Sequence, residues 1–314
     1  MYVRLALLVF CRKVIINRPA LLKTKGPLLL ACNHPNSFLD SVILDTLFEQ
    51  PIWSLARGDA FKNKNIARLL TALKILPVYR TSEGVENLSE NYKTFEACID
   101  HFRQQQVVAI FSEGKCINEW HLRPLKKGTA RLAIKAWEEN IPLQVLPVGI
   151  NYSSFQHFGK NVFLNFGNPI QKEHIDISAP DGIRNQSFNA ILKKELEGLV
   201  YEIPTNDKKQ QAERLSIQQP LAKKLLLALP AAIGWLLHVP LFSPLKKIAW
   251  KYTKDNDHYD SAVVSVLLLL YPFYAALLII IGVMLTHSWL ALAFLLVLPF
   301  TAWSYVQLKK QIGS

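Results

Sequence analysis

His34 and Asp40 lie in the stretch Asn33-His34-Pro35-Asn36-Ser37-Phe38-Leu39-Asp40, with five residues between them. A histidine and an aspartate in one short turn can form a dyad. The carboxylate accepts from one ring nitrogen and fixes the tautomer, leaving the other nitrogen to take a proton. A hydroxyl attacking a carbonyl needs such a base. Taken alone, such a pair also describes a structural histidine satisfied by its neighbour. The rest of the chain decides between the two.

The elements around the pair read as alternating strands and helices. Leu28 to Cys32 is an apolar run after Gly26-Pro27 and reads as a buried strand. Further strands are expected at Ile52–Ala56, Ile75–Tyr79, Val107–Phe111, Leu143–Ile150 and Val162–Phe166. Helical spacing is expected at 41–48, 66–73, 86–105, 128–139 and 186–201. The alternation predicts an α/β fold with a mixed, largely parallel central sheet flanked by helices. The His–Asp turn then follows a strand and opens a helix, at a strand end, where ligands of such folds bind.

Half of the 314 residues are apolar, 19% are charged, and the net charge is +12. A basic, greasy chain suits an anionic membrane surface or acidic small molecules. No aromatic-basic RNA-binding signature or zinc-finger spacing points to nucleic acid. Cys11, Cys32, Cys98 and Cys116 are scattered without a CxxC pair, so they read as reduced thiols, neither zinc ligands nor a disulfide framework. P-loop and Gly-x-Gly-x-x-Gly patterns are absent. The first residues hold a short apolar run between Arg4 and Arg12-Lys13, with no small-residue cleavage site after it. They predict a helix, either lying on a membrane or packed on the domain.

The chain divides into an enzyme-like domain over 1–205, a linker with an apolar segment over 206–256, and a hairpin over 257–314. Asn206 to Arg214 is polar. Leu225 to Phe242 is apolar, carries Pro230 and Pro240, and has lysine pairs on both sides. That pattern suits a re-entrant or surface-lying segment better than a span, with a buried core helix as the alternative. Residues 261–308 contain no Asp, Glu, Lys or Arg. Ala262–Leu285 and Trp289–Tyr305, separated by Thr286-His287-Ser288, predict a C-terminal membrane helical hairpin. Lysines flank the hairpin on both sides and none occupies its turn, so both ends are expected on the cytoplasmic face.

The octapeptide around His34 resembles the signature of the glycerol-phosphate and lysophosphatidate acyltransferase superfamily, usually Asn-His-x-Ser-x-x-Asp. Leu76-Pro77-Val78-Tyr79-Arg80 resembles its second block, Phe111-Ser112-Glu113-Gly114 its third and Leu146-Pro147-Val148-Gly149 its fourth. Leu125-Lys126-Lys127-Gly128 matches the Lys-Gly stretch that often follows the third. The resemblance covers roughly residues 20–205. This chain departs from the pattern in three places: five residues rather than four separate His34 from Asp40, Ser112 stands for proline, and Lys115 for a hydroxyl residue.

The resemblance implies a membrane-bound acyltransferase that moves a fatty acyl group onto a glycerol-phosphate-type hydroxyl, with acyl-CoA or acyl carrier protein as co-substrate and no separate cofactor or metal. His34 and Asp40 are the implied catalytic pair. Asn36, Ser37, Arg80, Glu113, Gly114, Lys126, Lys127, Gly128 and Pro147 are the implied substrate-binding residues. Arg80 can grip phosphate through its planar fork. Lys126 and Lys127 precede a helix N-terminus that favours anions, and serve the acceptor's phosphate, the donor's phosphates, or only a solvated turn. Glu113 is expected to orient acceptor hydroxyls or a basic partner, or to cap a helix. The expected partners are membrane lipid, a phosphorylated glycerol acceptor and the acyl donor, not nucleic acid. Two readings compete: a serine hydrolase, for which the Gly-x-Ser-x-Gly elbow is missing, and a non-catalytic lipid-binding protein that keeps the fold.

Overall fold

The computed structural model describes residues 2–79 and 88–312. Helix α1 (Tyr2–Phe10) leads directly into strand β1 (Cys11–Ile16). Then follow β2 (Leu28–Cys32), α2 (Phe38–Leu47), β3 (Ile52–Arg57), α3 (Lys64–Ala72), β4 (Ile75–Val78), α4 (Leu88–Arg103) and β5 (Val107–Phe111). The domain continues through α5 (Gly128–Glu138), β6 (Gln144–Tyr152), β7 (Lys160–Phe166), α6 (Asp181–Glu197) and α7 (Lys208–Leu215). Three long apolar helices end it: α8 (Leu221–Thr253), α9 (Tyr259–Thr286) and α10 (Phe294–Leu308).

The strands form one sheet in the order β1-β7-β6-β2-β5-β3-β4. Every neighbouring pair is parallel except β6–β7. The two central strands explain themselves. Leu-Leu-Leu-Ala-Cys in β2 and Val-Val-Ala-Ile-Phe in β5 are buried on both faces, as parallel strands between helix layers must be. Alternate residues face different layers. Leu29, Ala31 and Val145 pack with Trp137, Phe102 and Phe188 under α4, α5 and α6. Leu28, Leu30 and Cys32 pack with Leu39, Ile43 and Phe10 under α2 and α1.

The sequence reading expected the short first helix but no strand after it, and β1 is an addition to that reading. Arg12 and Lys13 interrupt the apolar pattern, but an edge strand tolerates such charges. The partner of β1 is β7, far along the chain, and short-range periodicity cannot announce that pairing. The polar stretch read as a linker contains α7, capped where the Asp207 carboxylate accepts from the Gln210 N–H at 2.9 Å.

Helices α8, α9 and the segment Trp289–Leu308 are each long and apolar enough to cross a membrane. The distal part of α9 exposes Leu269, Phe273, Leu277 and Ile280, a patch that water would oppose and a bilayer favours. The chain is thus a membrane protein. The first turns of α9 differ from the rest: Tyr259, Asp260, Ser261, Val263 and Val264 are buried, and Val264 joins the core beneath α2.

Helix α8 is unbroken from Leu221 to Thr253 despite Pro230, Pro240 and Pro244. Near its start Lys223 donates to Gln307 of α10 at 2.8 Å. Its middle crosses α10 where Gly234 meets Thr301 so closely that no Cβ fits. Further on, Phe242 lies under the Lys309 ammonium just past the end of α10. The helix therefore packs along α10 from its start to beyond its middle.

Candidate active site

The site begins where β2 ends. Asn33 anchors the turn: its side-chain amide donates to the Ile150 carbonyl at 3.0 Å and accepts from the Ile150 N–H at 2.7 Å. The chain then crosses to α2, and Asp40 falls in the first turn of that helix. His34 Nδ1 and Asp40 Oδ2 are 2.9 Å apart. A carboxylate only accepts, so the proton sits on Nδ1 and Nε2 offers its lone pair. The ring is 18% exposed, and Asp40 is fully buried. Phe111 stacks on the imidazole at 4.0 Å and sets its plane. The single extra residue between the two is absorbed by the turn, and the dyad forms.

Asp40 has no spare capacity. Its Oδ2 also accepts from the Asn36 N–H at 2.9 Å, and its Oδ1 accepts from the Tyr152 hydroxyl at 2.7 Å. Burial and the charge of Asp40 push Tyr152 well above the ordinary phenol value, so it remains a donor. Three donors on one buried carboxylate hold it in a single rotamer, which holds the imidazole.

Glu113 is buried. One oxygen accepts from the His34 N–H at 2.8 Å and the other from the Arg123 N–H at 2.9 Å. It braces the backbone at both of these places. Burial pushes its carboxyl above the ordinary glutamate value, and the two N–H donors pull it part of the way back. A raised carboxyl contributes stability that is present below its ordinary pKa and lost as pH rises through the raised one. Glu113→Gln removes that dependence. The melting-temperature difference, variant minus parent, should therefore increase as pH rises above the ordinary glutamate value. A constant difference would contradict the assignment.

Asn36 and Ser37 tie the turn to other parts of the chain. Asn36 is fully buried, and its amide donates to Asp260 at 2.8 Å. The Ser37 N–H donates to Cys116 Sγ at 2.9 Å, and its hydroxyl pairs with His258 Nδ1 at 2.7 Å. Burial pushes the Cys116 thiol up, so it stays protonated. Burial, with Arg57 and His34 nearby, pushes His258 below the ordinary histidine value, which keeps it neutral near pH ~7. Arg57, which pairs with Asp59, therefore lies within electrostatic reach of the site.

Gly114 turns the chain after β5 with φ +68, a conformation suited to glycine. A Cβ there would lie 3.0 Å from Lys126 Cγ, so the Lys126 stem runs past this turn. The Lys126 N–H is tied to the Ser112 carbonyl at 2.7 Å. Lys126 and Lys127 are exposed at the start of α5, and Gly128 is its first residue. A Cβ on Gly128 would make only ordinary contact with Ile110. Pro147 is buried in β6 opposite Ala31 and packs towards Gly167. By strand alternation it faces the α4–α6 layer, away from the Cys32 and Phe111 side that carries His34. Arg80 lies outside the described residues. The chain leading to it is held where Tyr79 exchanges two 2.7 Å hydrogen bonds with Asn91.

Sequence reasoning missed Tyr152, Cys116 and the start of α9. Tyr152 gave no signal, because a tyrosine closing a strand is unremarked until its partner is known. Asp260 did give one: it is the last carboxylate before 48 residues that hold no Asp, Glu, Lys or Arg.

The family model described as Acyltransferase matches residues 13–151. Glycerol-3-phosphate O-acyltransferase 2 of Saccharomyces cerevisiae is 31% identical over 83 residues, 26% of this chain and 11% of that protein. Glycerol-3-phosphate O-acyltransferase 1 of the same yeast is 27% identical over 103 residues, 32% of this chain and 13% of that protein. An uncharacterized acyltransferase of Schizosaccharomyces pombe is 28% identical over 186 residues, 56% and 26% of the two chains. The chain thus spans at most about a quarter of the length of these curated relatives. Among solved structures, the 1-acyl-sn-glycerophosphate (LPA) acyltransferase PlsC of Thermotoga maritima aligns with a TM-score of 0.42 at 16% identity, over 61% of this chain and 73% of that one. The dyad lies inside the matched segment, and over that segment the chain is similar to acyltransferases, the two yeast glycerol-3-phosphate enzymes among them.

Proposed function

We propose that the chain transfers a fatty acyl group from an acyl thioester to the hydroxyl of glycerol 3-phosphate or of 1-acylglycerol 3-phosphate. The observation that carries this reading is the buried, triply bonded Asp40 holding His34, with Nε2 free of that bond, at the C-terminal end of the central strand β2. Nε2 takes the proton from the acceptor hydroxyl as its oxygen attacks the thioester carbonyl. The C–S bond then breaks, and the thiolate leaves with that proton returned from the imidazolium. A thiol of pKa near ~8.5 leaves without strong acid assistance. Lys126 and Lys127 supply exposed cations beside the Gly114 turn. With Arg80, they are the proposed anchors for the acceptor's phosphate, which orients its hydroxyl towards His34.

The apolar helices keep the enzyme where its acyl-chain donor and product reside. Lys246, Lys247, Lys251 and Lys254 precede the hairpin, and Lys309 and Lys310 follow it. Their placement supports a catalytic domain on the cytoplasmic face. The test is purified protein in micelles with labelled acyl-CoA or acyl carrier protein. The acceptors are glycerol 3-phosphate, 1-acylglycerol 3-phosphate and an unphosphorylated monoacylglycerol. Transfer to a phosphorylated acceptor that stops in a His34→Ala variant is the expected result. Transfer only to the unphosphorylated acceptor, or transfer that survives the substitution, overturns it.

A further inference from the structure

The first turn of α9, the most apolar helix of the chain, is bonded into the catalytic turn residue by residue. The Asp257 carboxylate accepts from the Asn118 N–H at 3.0 Å, and the Asn118 amide donates to the Pro35 carbonyl at 2.7 Å. His258 pairs with the Ser37 hydroxyl. Ser261 Oγ accepts from the Leu39 N–H at 3.3 Å. Asp260, 2% exposed, accepts from the Asn36 amide and from Lys160, which is itself fully buried. Within the arc between His34 and Asp40, Asn36 and Leu39 are thus held from the first turn of α9 and Ser37 from the residue just before it.

Asp260 is placed differently from its neighbours. Asp40 Oδ2 takes one of its two hydrogen bonds from the Asn36 backbone, and Asp260 fixes Asn36 from its side chain. Asp40 Oδ1 takes its bond from Tyr152, and the Lys160 ammonium that pairs with Asp260 also lies 5.9 Å above the Tyr152 ring. One buried ion pair therefore stands behind both supports of the catalytic carboxylate. A charge pair this deep is costly to desolvate, and an apolar pair of the same volume would serve the fold as well or better. Its geometry is explained by what it orients.

We propose that Asp260 is a positioning residue for catalysis, acting through Asn36 on Asp40, and that the membrane helix α9 is in this way an integral part of the active site. The proposal rests on the acyl-transfer reading above. It predicts that the acceptor oxygen at 260 matters, and its negative charge does not. Asparagine keeps an oxygen for the Asn36 amide; leucine keeps only the volume.

The test compares two variants in which no buried charge is left unpaired, Lys160→Met with Asp260→Asn and Lys160→Met with Asp260→Leu, both as full chains in micelles. The asparagine pair should keep kcat within about threefold of the parent. The leucine pair should lose about 10- to 100-fold in kcat with KM little changed, the scale of a slightly misplaced catalytic group. Loss of kcat in both pairs alike, tracking a loss of melting temperature, would assign the residues to the fold alone and overturn the proposal. So would full activity in the leucine pair. Amide hydrogen exchange over residues 33–40 reads the same question without any substrate. It should quicken in the leucine pair and not in the asparagine pair, and equal exchange in the two overturns the proposal. If the parent shows no acyl transfer, the functional reading fails, and the exchange experiment still decides the role of Asp260.

Discussion

Replacing His34 by alanine lowers acyl-transfer turnover about 10²- to 10⁴-fold, the usual worth of a positioned general base, and leaves the protein folded. Both halves of that expectation come from the geometry. The imidazole meets Asp40 through Nδ1 and stacks on Phe111, and it is 18% exposed, so its loss opens space at the surface of the cleft and no cavity in the core. Asp40 retains the Asn36 N–H and the Tyr152 hydroxyl, so no buried carboxylate is stranded. The His34 N–H still donates to Glu113, because that bond belongs to the backbone. Initial rates with a saturating acyl donor, paired with a melting curve, check the prediction. Turnover within threefold of the parent would end the assignment of His34 as the base. An equal fall in activity and in melting temperature would make its role structural.

The second large effect is on stability. Lys160→Met alone should destabilise the domain by about 3–5 kcal/mol, the cost of leaving one member of a buried ion pair uncompensated. Against a total stability of about 5–15 kcal/mol, this is a major loss. It corresponds to roughly 6–20 °C in melting temperature for a domain of this size. Lys160 sits on β7 with no solvent exposure, between the Phe10 and Tyr152 rings, and its ammonium reaches Asp260. Methionine fills the same volume, but it leaves the Asp260 carboxylate with only the Asn36 amide as partner among the described residues. Adding Asp260→Asn should restore most of the loss, because the neutral amide is far cheaper to bury. A Lys160→Met protein that melts within about 2 °C of the parent would show that the pair is not buried as described.

Much of the catalytic domain was legible in the chain. Strands such as Leu28–Cys32 and Val107–Phe111 are short apolar runs, and helices such as Leu88–Arg103 and Gly128–Glu138 repeat at helical spacing. Those are local signals, and local signals are what periodicity carries. Strand β1 was not legible, since its charges resemble a helix flank and its strand partner among the described residues lies at 160–164. The packing of α8 on α10 shows only through contacts such as those with Gln307 and Lys309.

The site divides in the same way. The resemblance of the blocks that hold His34, Asp40, Glu113 and Gly114 to an acyltransferase signature pointed to a dyad, and the two members of that dyad are close neighbours in the chain. The jobs of the other residues depend on what the fold brings alongside. Glu113 became a brace for two backbone N–H groups, Asn36 and Ser37 became ties within the turn, and Pro147 fell on the opposite face of the sheet. Tyr152, 112 residues beyond Asp40, and Asp260, 224 beyond Asn36, became its supports. Which residue bases the chemistry follows from covalent neighbours; which residues hold it still follows from long-range packing, where sheet order and the docking of α9 choose partners that no local pattern records.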